Sequence, residues 1–284
     1  MDRVHLSLRQ WGLLAAVLLL AVLLLLGTCT LRANAQKQDE PGQGGVSTTL
    51  QEPAFRATSD WPRLSYKDGR FFYQREEALA SRTGIDVSSY QGAIDWESVA
   101  ADGIDFAMIR VGNRGFSQGD LYLDEFFEEN IKGAREEGIL VGAYFFSQAI
   151  NEQEAIAEAD FVIESLAGAA LDYPVAFDHE PINDPQARAN NLSKKQLGKN
   201  AKAFCDRIEA AGYIPMIYGN KRDLSRFEDD FLEAYDIWLA EYDISAPDAP
   251  FSFAVWQYSN SGFVDGIYGD VDLNVHLLPT QKTS

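Results

Sequence analysis

From Thr83 to the C-terminal region, short apolar runs alternate with longer amphipathic stretches, and this alternation restricts the fold more than any other feature of the chain. The runs are GIDVS (84–88), FAMIRVG (106–112), LVGAYFFS (140–147), PVAFDHE (174–180), IPMIYGN (214–220), YDIWLAEY (235–242), FAVWQYS (253–259) and DVDLN (270–274). Most are nearly continuous in apolar residues, the pattern of strands covered on both faces. Between several of them lie segments with helical spacing. LDEFFEENIKGAREEG stops at Gly138, NEQEAIAEADFVIESLAG repeats the pattern, and LSKKQLGKNAKAFCDRIEAAG starts at a Ser193 cap and ends at Gly212. The later connections are too short for full helices. Strand–helix alternation of this kind means a parallel sheet covered by helices. The runs span roughly 200 residues, which fits an α/β chain folded as an irregular (β/α) barrel with incomplete late helices. An open doubly wound sheet is the alternative; it loses weight because no G-x-G-x-x-G loop follows the first run.

The residues before the barrel read differently. Arg3 and Arg9 precede an uncharged apolar stretch from Trp11 to Leu31. A spanning helix needs about 20 such residues, and the basic flank predicts that end inside and the remainder outside. A small-x-small site ending at Ala35 keeps a cleaved signal peptide open. Residues 1–35 are therefore expected to target the membrane, and the Gln-, Gly-, Pro- and Ser-rich residues 36–60 to form a tether. Asp68-Gly69 between alternating aromatic flanks predicts a hairpin-like extension over 61–82. The barrel domain is expected over 83–279. A formal charge of −19 in 284 residues argues against nucleic acid, which demands clustered Lys and Arg. Cys29 and Cys205 are poorly placed to pair, and the histidines are His5, His179 and His276. A zinc site needs about three protein ligands, so neither metal nor cofactor is expected.

Active sites of such barrels lie at the C-terminal ends of the strands. The run ends carry Asp86, Arg110, Tyr144 with Ser147, Asp178 with Glu180, Tyr218, Trp238 with Glu241 and Tyr242, Trp256 with Gln257, and Asp272. Scattered solvation would place Lys and Glu there instead. Aromatic faces and polar tips suit sugar rings, and a carboxylate pair can cleave a glycosidic bond. Asp178 and Glu180 are expected on one strand face, roughly 6.5–7 Å apart at the backbone. Neighbouring carboxylates repel, so one pKa should rise. Taken singly, each residue has an ordinary structural reading. Asp86 caps a loop, Arg110 is a counter-ion, and Tyr144, Trp238 and Trp256 are core. His179 is expected to face away from its neighbours as a packing residue. The joint pattern favours a site.

The segments GIDVSSYQGAIDWESV, FAMIRVG, GAYFFSQA, the D-x-E of AFDHE, YDIWLAEY, WQYSNSG and GDVDLN, in that order, resemble glycoside hydrolase family 25, the Chalaropsis-type lysozymes. The likeness covers residues 83–278. It implies an irregular (β/α) barrel that cleaves the β-1,4 bond between N-acetylmuramic acid and N-acetylglucosamine in peptidoglycan. It implies Glu180 as the acid, Asp178 as its partner, and Asp86 and Asp272 as further carboxylates, with Asp270 less suited. Arg110, Tyr144, Tyr218, Trp238, Tyr242, Trp256 and Gln257 fall at positions expected to line the groove. His179 inside D-x-E and Asn113 after RVG depart from the pattern. The expected partner is the peptidoglycan glycan strand, met by a monomer in the cell envelope. Asp178 either attacks as a nucleophile, which needs carboxyls about 5–5.5 Å apart, or assists attack by the substrate's own N-acetyl group. The second is favoured, because acids two residues apart flank one small spot. A non-catalytic wall-binding barrel is the rival, but it would need a missing carboxylate. A metal-dependent hydrolase using Asp178 and His179 is disfavoured by their opposite facing. A chitinase lacks support because D-x-x-D-x-D-x-E is absent.

Overall fold

The computed structural model describes residues 61–75 and 78–278. The targeting segment and tether read at residues 1–60 lie outside them. Among the described residues no helix is long and apolar enough to cross a membrane.

A small antiparallel sheet comes first, made of β1 (Leu64–Lys67), β2 (Arg70–Arg75) and β3 (Ala78–Leu79). All eight apolar runs then become strands. They are β4 (Ser81–Val87) and β5 (Phe106–Arg114), followed, after the short β6 (Leu121–Leu123), by β7 (Leu140–Phe146) and β8 (Val175–Asp178). The last four are β9 (Pro215–Asn220), β10 (Asp236–Ala240), β11 (Val255–Gly262) and β12 (Val271–Leu277). Strands β4, β5, β7, β8, β9, β10 and β11 pair in parallel in that order. β12 pairs antiparallel with both β11 and β4 and closes the sheet into a barrel, while β6 hangs from the edge of β5.

The reversed β12 has a simple cause. The connection 263–270 holds no helix to carry the chain back to the far end, so the strand must return as a hairpin. This corrects the reading of Asp272 as the end of a run. It lies at the start of β12, and the reversal brings it to the rim where the parallel strands end. Asp272 there sits directly opposite Asp86 in the register.

Helices cover the barrel unevenly. In chain order they are α1 (Trp96–Ala101), α2 (Phe127–Glu136), α3 (Glu152–Leu166), α4 (Lys194–Ala210), α5 (Lys221–Leu224) and α6 (Asp229–Leu232). α3 buries Ala155, Ala159, Val162 and Leu166, and α4 buries Leu197, Ala201, Phe204 and Ile208. That spacing puts each set on one helical face. Side chains cap both starts: Asn151 accepts from the Glu154 amide, and Ser193, as expected, from the Gln196 amide. α5 and α6 are single turns, too short to shield the barrel.

Near β11 the β1–β2 hairpin does part of that work. Its turn needs left-handed backbone at both central residues, which Asp68 (φ 52°) and Gly69 (φ 79°) adopt. Phe71 then packs on Trp256 with centroids 4.7 Å apart and edge-on to Tyr258 at 5.1 Å. Tyr73 is fully buried, and Trp61 stacks on Phe253.

Inside the barrel, Phe106, Met108, Tyr173, Met216 and Trp238 form a packed plug. Phe106 and Tyr173 stack at 4.4 Å. Gly84 makes room for them, since a Cβ there would come within 2.3 Å of the Phe106 ring. The hairpin packing yields a stability test. Phe71→Ala should cost about 3–5 kcal/mol in urea unfolding, as for other large-to-small core changes. Unchanged stability would show that the hairpin is no part of the folded unit.

Candidate active site

The rim predicted from the run ends is a cleft of about 470 Å³. Asp86, Asp178, Glu180 and Asp272 all line it, as do Arg110, Tyr144, Tyr218, Trp238 and Gln257. Ser88, Tyr90, Gln91, Phe116, Phe146 and Ile182, none of them singled out from the sequence as site residues, complete its walls together with Asn113.

Two expected groove residues do not line the cleft. Trp256 is fully buried on the other face of β11, donates Nε1–H to the Glu241 carbonyl at 2.8 Å, and packs on Phe71. Side chains alternate along a strand, and Gln257 takes the inner position. Tyr242 stands behind the lining residues, its hydroxyl donating to Gln257 Oε1 at 2.6 Å.

The Asp178–Glu180 pair also differs from expectation. β8 ends at Asp178, so Glu180 lies beyond the strand rather than two places along it. The chain turns because the next bonds are irregular. The Ser147 amide donates to the Asp178 carbonyl at 2.7 Å, and Gln148 Nε2 donates to the Glu180 carbonyl at 3.0 Å. His179 faces away from the cleft, as its place in the sequence suggests. Its Nδ1 lies 3.0 Å from the Ser147 carbonyl, its Nε2 lies 3.3 Å from Arg226 Nη2, and its ring stacks on Phe177. A carbonyl only accepts and a guanidinium only donates, so Nδ1 carries the hydrogen and Nε2 accepts. Burial, then the Arg226 charge, lowers its pKa to about 4, so the ring is neutral at pH 7.

Asp86 is held by amides. Its Oδ2 accepts from Gln257 Nε2 and from Asn274 Nδ2, both at 2.7 Å. Asn274 Oδ1 accepts from Trp238 Nε1 at 2.7 Å. Gln257 Oε1 accepts from the Tyr218 hydroxyl at 2.8 Å and from Tyr242. Hydroxyl and indole donors thus fix the orientation of both amides. Asn274 escaped the sequence reading, although it follows Asp272 by two and shares its strand face. Arg110 is already matched: Nε donates to Asp124 Oδ2 at 2.8 Å, Nη2 donates to Ser89 Oγ at 2.9 Å, and the guanidinium lies 5.2 Å from the Tyr90 ring centre. Asp124 sits in a charged stretch before α2, so nothing in the sequence separated it from solvated acids.

Burial pushes the Asp86 carboxyl well above its ordinary range, and the neighbouring Asp272 adds to the shift. Asp272 rises too, through burial, with a hydrogen bond from Asp86 pulling the other way. Burial thus favours the neutral form of both facing carboxyls. Asp178 is raised by burial, then by Glu180 and Asp86. Its Oδ1 is buried and has no hydrogen-bond partner. Burial, followed by Asp223 and Asp272, lifts Glu180 to about 7.

The sign of the resulting pH dependence is fixed. These carboxyls bind protons more tightly folded than unfolded, so their contribution to stability falls as pH rises from the unfolded range, about 4, through the folded values. Glu180→Gln should therefore shrink the loss of melting temperature between pH 5 and pH 8. An equal or larger loss in the variant would contradict the raised carboxyl.

Comparison with known proteins identifies the family. The family model described as "Glycosyl hydrolases family 25" matches residues 85–267. Lysozyme M1 of Streptomyces globisporus is 32% identical over 203 residues, covering 67% of this chain and 66% of that protein. The protein YegX of Escherichia coli K12 is 31% identical over 218 residues, covering 74% of this chain and 75% of that one. The autolysin LytC of Streptococcus pneumoniae, solved with a synthetic peptidoglycan ligand, superposes with a TM-score of 0.60 at 25% identity. That match covers 75% of this chain and 51% of LytC, so the chain spans about half the length of that relative. The fold, the order of the motifs and the family match agree: the chain belongs to glycosyl hydrolases family 25.

Proposed function

We propose that the protein is a peptidoglycan muramidase, cleaving the β-1,4 bond between N-acetylmuramic acid and N-acetylglucosamine, with Glu180 as acid and Asp178 as its partner. Family membership, the similarity to Lysozyme M1 and the peptidoglycan ligand bound to LytC support this reading. The observation that carries the residue roles is the buried, unpartnered Asp178 Oδ1 beside a carboxyl titrating at about 7. A general acid works best with its pKa near the working pH.

In this mechanism Glu180 protonates the glycosidic oxygen as its bond to the anomeric carbon breaks. The carbonyl oxygen of the substrate's N-acetyl group bonds to that carbon from the opposite face. Asp178 Oδ1 accepts the acetamido N–H, orienting the group and stabilising the charge it gains. Glu180, now ionised, takes a proton from water, whose hydroxyl displaces the acetamido oxygen and leaves the configuration retained. Asp86 and Asp272 face each other across the rim, where burial favours their neutral forms and so limits like charge near the reacting centre. The same reading puts the domain in the cell envelope as a monomer, tethered by the apolar stretch from Trp11 to Leu31 or released after Ala35.

The purified protein should release new reducing ends from bacterial peptidoglycan, identified as muramic acid by mass spectrometry after reduction. Glu180→Gln should lower the rate by at least about 10²-fold while still binding the wall. Glucosamine ends would change the bond cut. Binding without any new ends would favour a wall-binding barrel.

A further inference from the structure

A buried charged group lies behind the carboxylate pair and has no part in the mechanism above. Glu158, on α3, is fully buried and does not line the cleft. Its Oε1 accepts from Arg114 Nε at 2.7 Å, and its Oε2 accepts from the Ser147 hydroxyl at 2.6 Å. Arg114 is held in turn by the carbonyls of Glu154 and Gly119. Arg188 grips the Glu154 carboxylate with both terminal nitrogens, at 2.7 and 2.8 Å.

Ser147 and Gln148 are the next link. The Ser147 amide holds the Asp178 carbonyl, the Ser147 carbonyl takes the His179 ring, and Gln148 Nε2 holds both that carbonyl and the carbonyl of Glu180. The D-x-E backbone has left the sheet at this point, so no strand ladder fixes Glu180. Its position depends on this turn, and the turn is fixed from below by a carboxylate.

We infer that Glu158 is a positioning residue for Glu180 and Asp178, acting through Ser147 and Gln148. This rests on the muramidase reading for its effect on rate, though not for its effect on geometry. Stability alone does not account for the group. A buried ion pair commonly costs as much in desolvation as it returns, and apolar residues of similar volume would serve a core as well. Burial does raise the Glu158 carboxyl to about 7, with Ser147 and Arg114 opposing the rise. What an ion pair adds is direction: a carboxylate accepting at both oxygens leaves Ser147 one orientation. A shift of about 1 Å in a reacting group can cost roughly 10²-fold in rate.

The test uses the full chain with Glu158→Gln, Ser147→Ala and the double variant. Ser147→Ala removes one hydroxyl and keeps the ion pair, so it guards against misfolding of the first variant. Two readouts are taken on folded protein: kcat and KM on peptidoglycan, and the titration of the Glu180 carboxyl by carbon-13 NMR. Glu180 faces Asp178, Asp223 and Asp272, so a displacement alters those interactions and moves its titration. Each single variant should lower kcat by about 10- to 10²-fold with KM within about twofold. The double variant should be no worse than the more severe single, since both break one linkage. A lower melting temperature with wild-type kcat and an unmoved Glu180 titration would overturn the inference. If the wild type cleaves nothing yet the titration still moves in the variants, the muramidase reading falls and the positioning role stands.

Discussion

The site depends on how the barrel handles one buried carboxyl. Asp86 lies where β12 closes the sheet, opposite Asp272, and both are out of water to a large degree. A cation beside them would satisfy the charge and pull both pKa values down. The chain uses amides instead. Gln257 and Asn274 supply directed N–H groups without charge, each locked by an aromatic donor behind it. The amides fix Asp86 in place and oppose its rise only in part, since burial and Asp272 still hold its carboxyl above the usual range. Arg110, the one cation among the described residues that line the cleft, is matched by Asp124 and lowers Asp178 without cancelling its rise.

Asp178 and Glu180 follow the same logic from the other side of the cleft. Burial raises both, Glu180 adds to the rise of Asp178, Asp223 and Asp272 add to that of Glu180, and neither is given a strong ion-pair partner among the described residues. Placement comes from backbone bonds to Ser147 and Gln148, anchored by Glu158 and Arg114. The Glu158–Arg114 and Glu154–Arg188 pairs thus lie outside the cleft lining. There they can fix geometry without changing the charge of the reacting groups.

Strand runs and rim were legible because a parallel strand buried on both faces leaves a continuous apolar word, with chemistry only at its end. The errors share a physical origin. Trp256 was assigned from being at a run's end, but only every second residue faces inward, and Gln257 already held that position; Tyr242 lies beyond the end of β10 at Ala240, where strand alternation no longer places a side chain. Asp272 was placed correctly for the wrong reason, since strand direction is decided by the length of the preceding connection. Asp124 and Glu158 were invisible. One precedes a helix and the other lies within one, where acids are ordinarily solvated. Their burial depends on Arg110 and Arg114 arriving from β5, a contact that sequence spacing does not encode.

The electrostatics also constrain the substrate. A cleft holding four carboxyls, in a protein of net charge −19, opposes any anion brought to the reacting centre. N-acetylated sugars bring none: their amide and hydroxyl groups are neutral donors and acceptors. In intact peptidoglycan the lactyl carboxyl of muramic acid is tied up as an amide, and the remaining stem carboxylates lie further along the peptide. They would have to lead outward to water, where about 10 Å of saline screens them from the cleft. A glycan stripped of its stems carries a free lactyl carboxylate on each muramic acid, next to the bond to be cut. Under the muramidase reading, whatever negative charge the cleft carboxyls carry opposes that form more than the amide form.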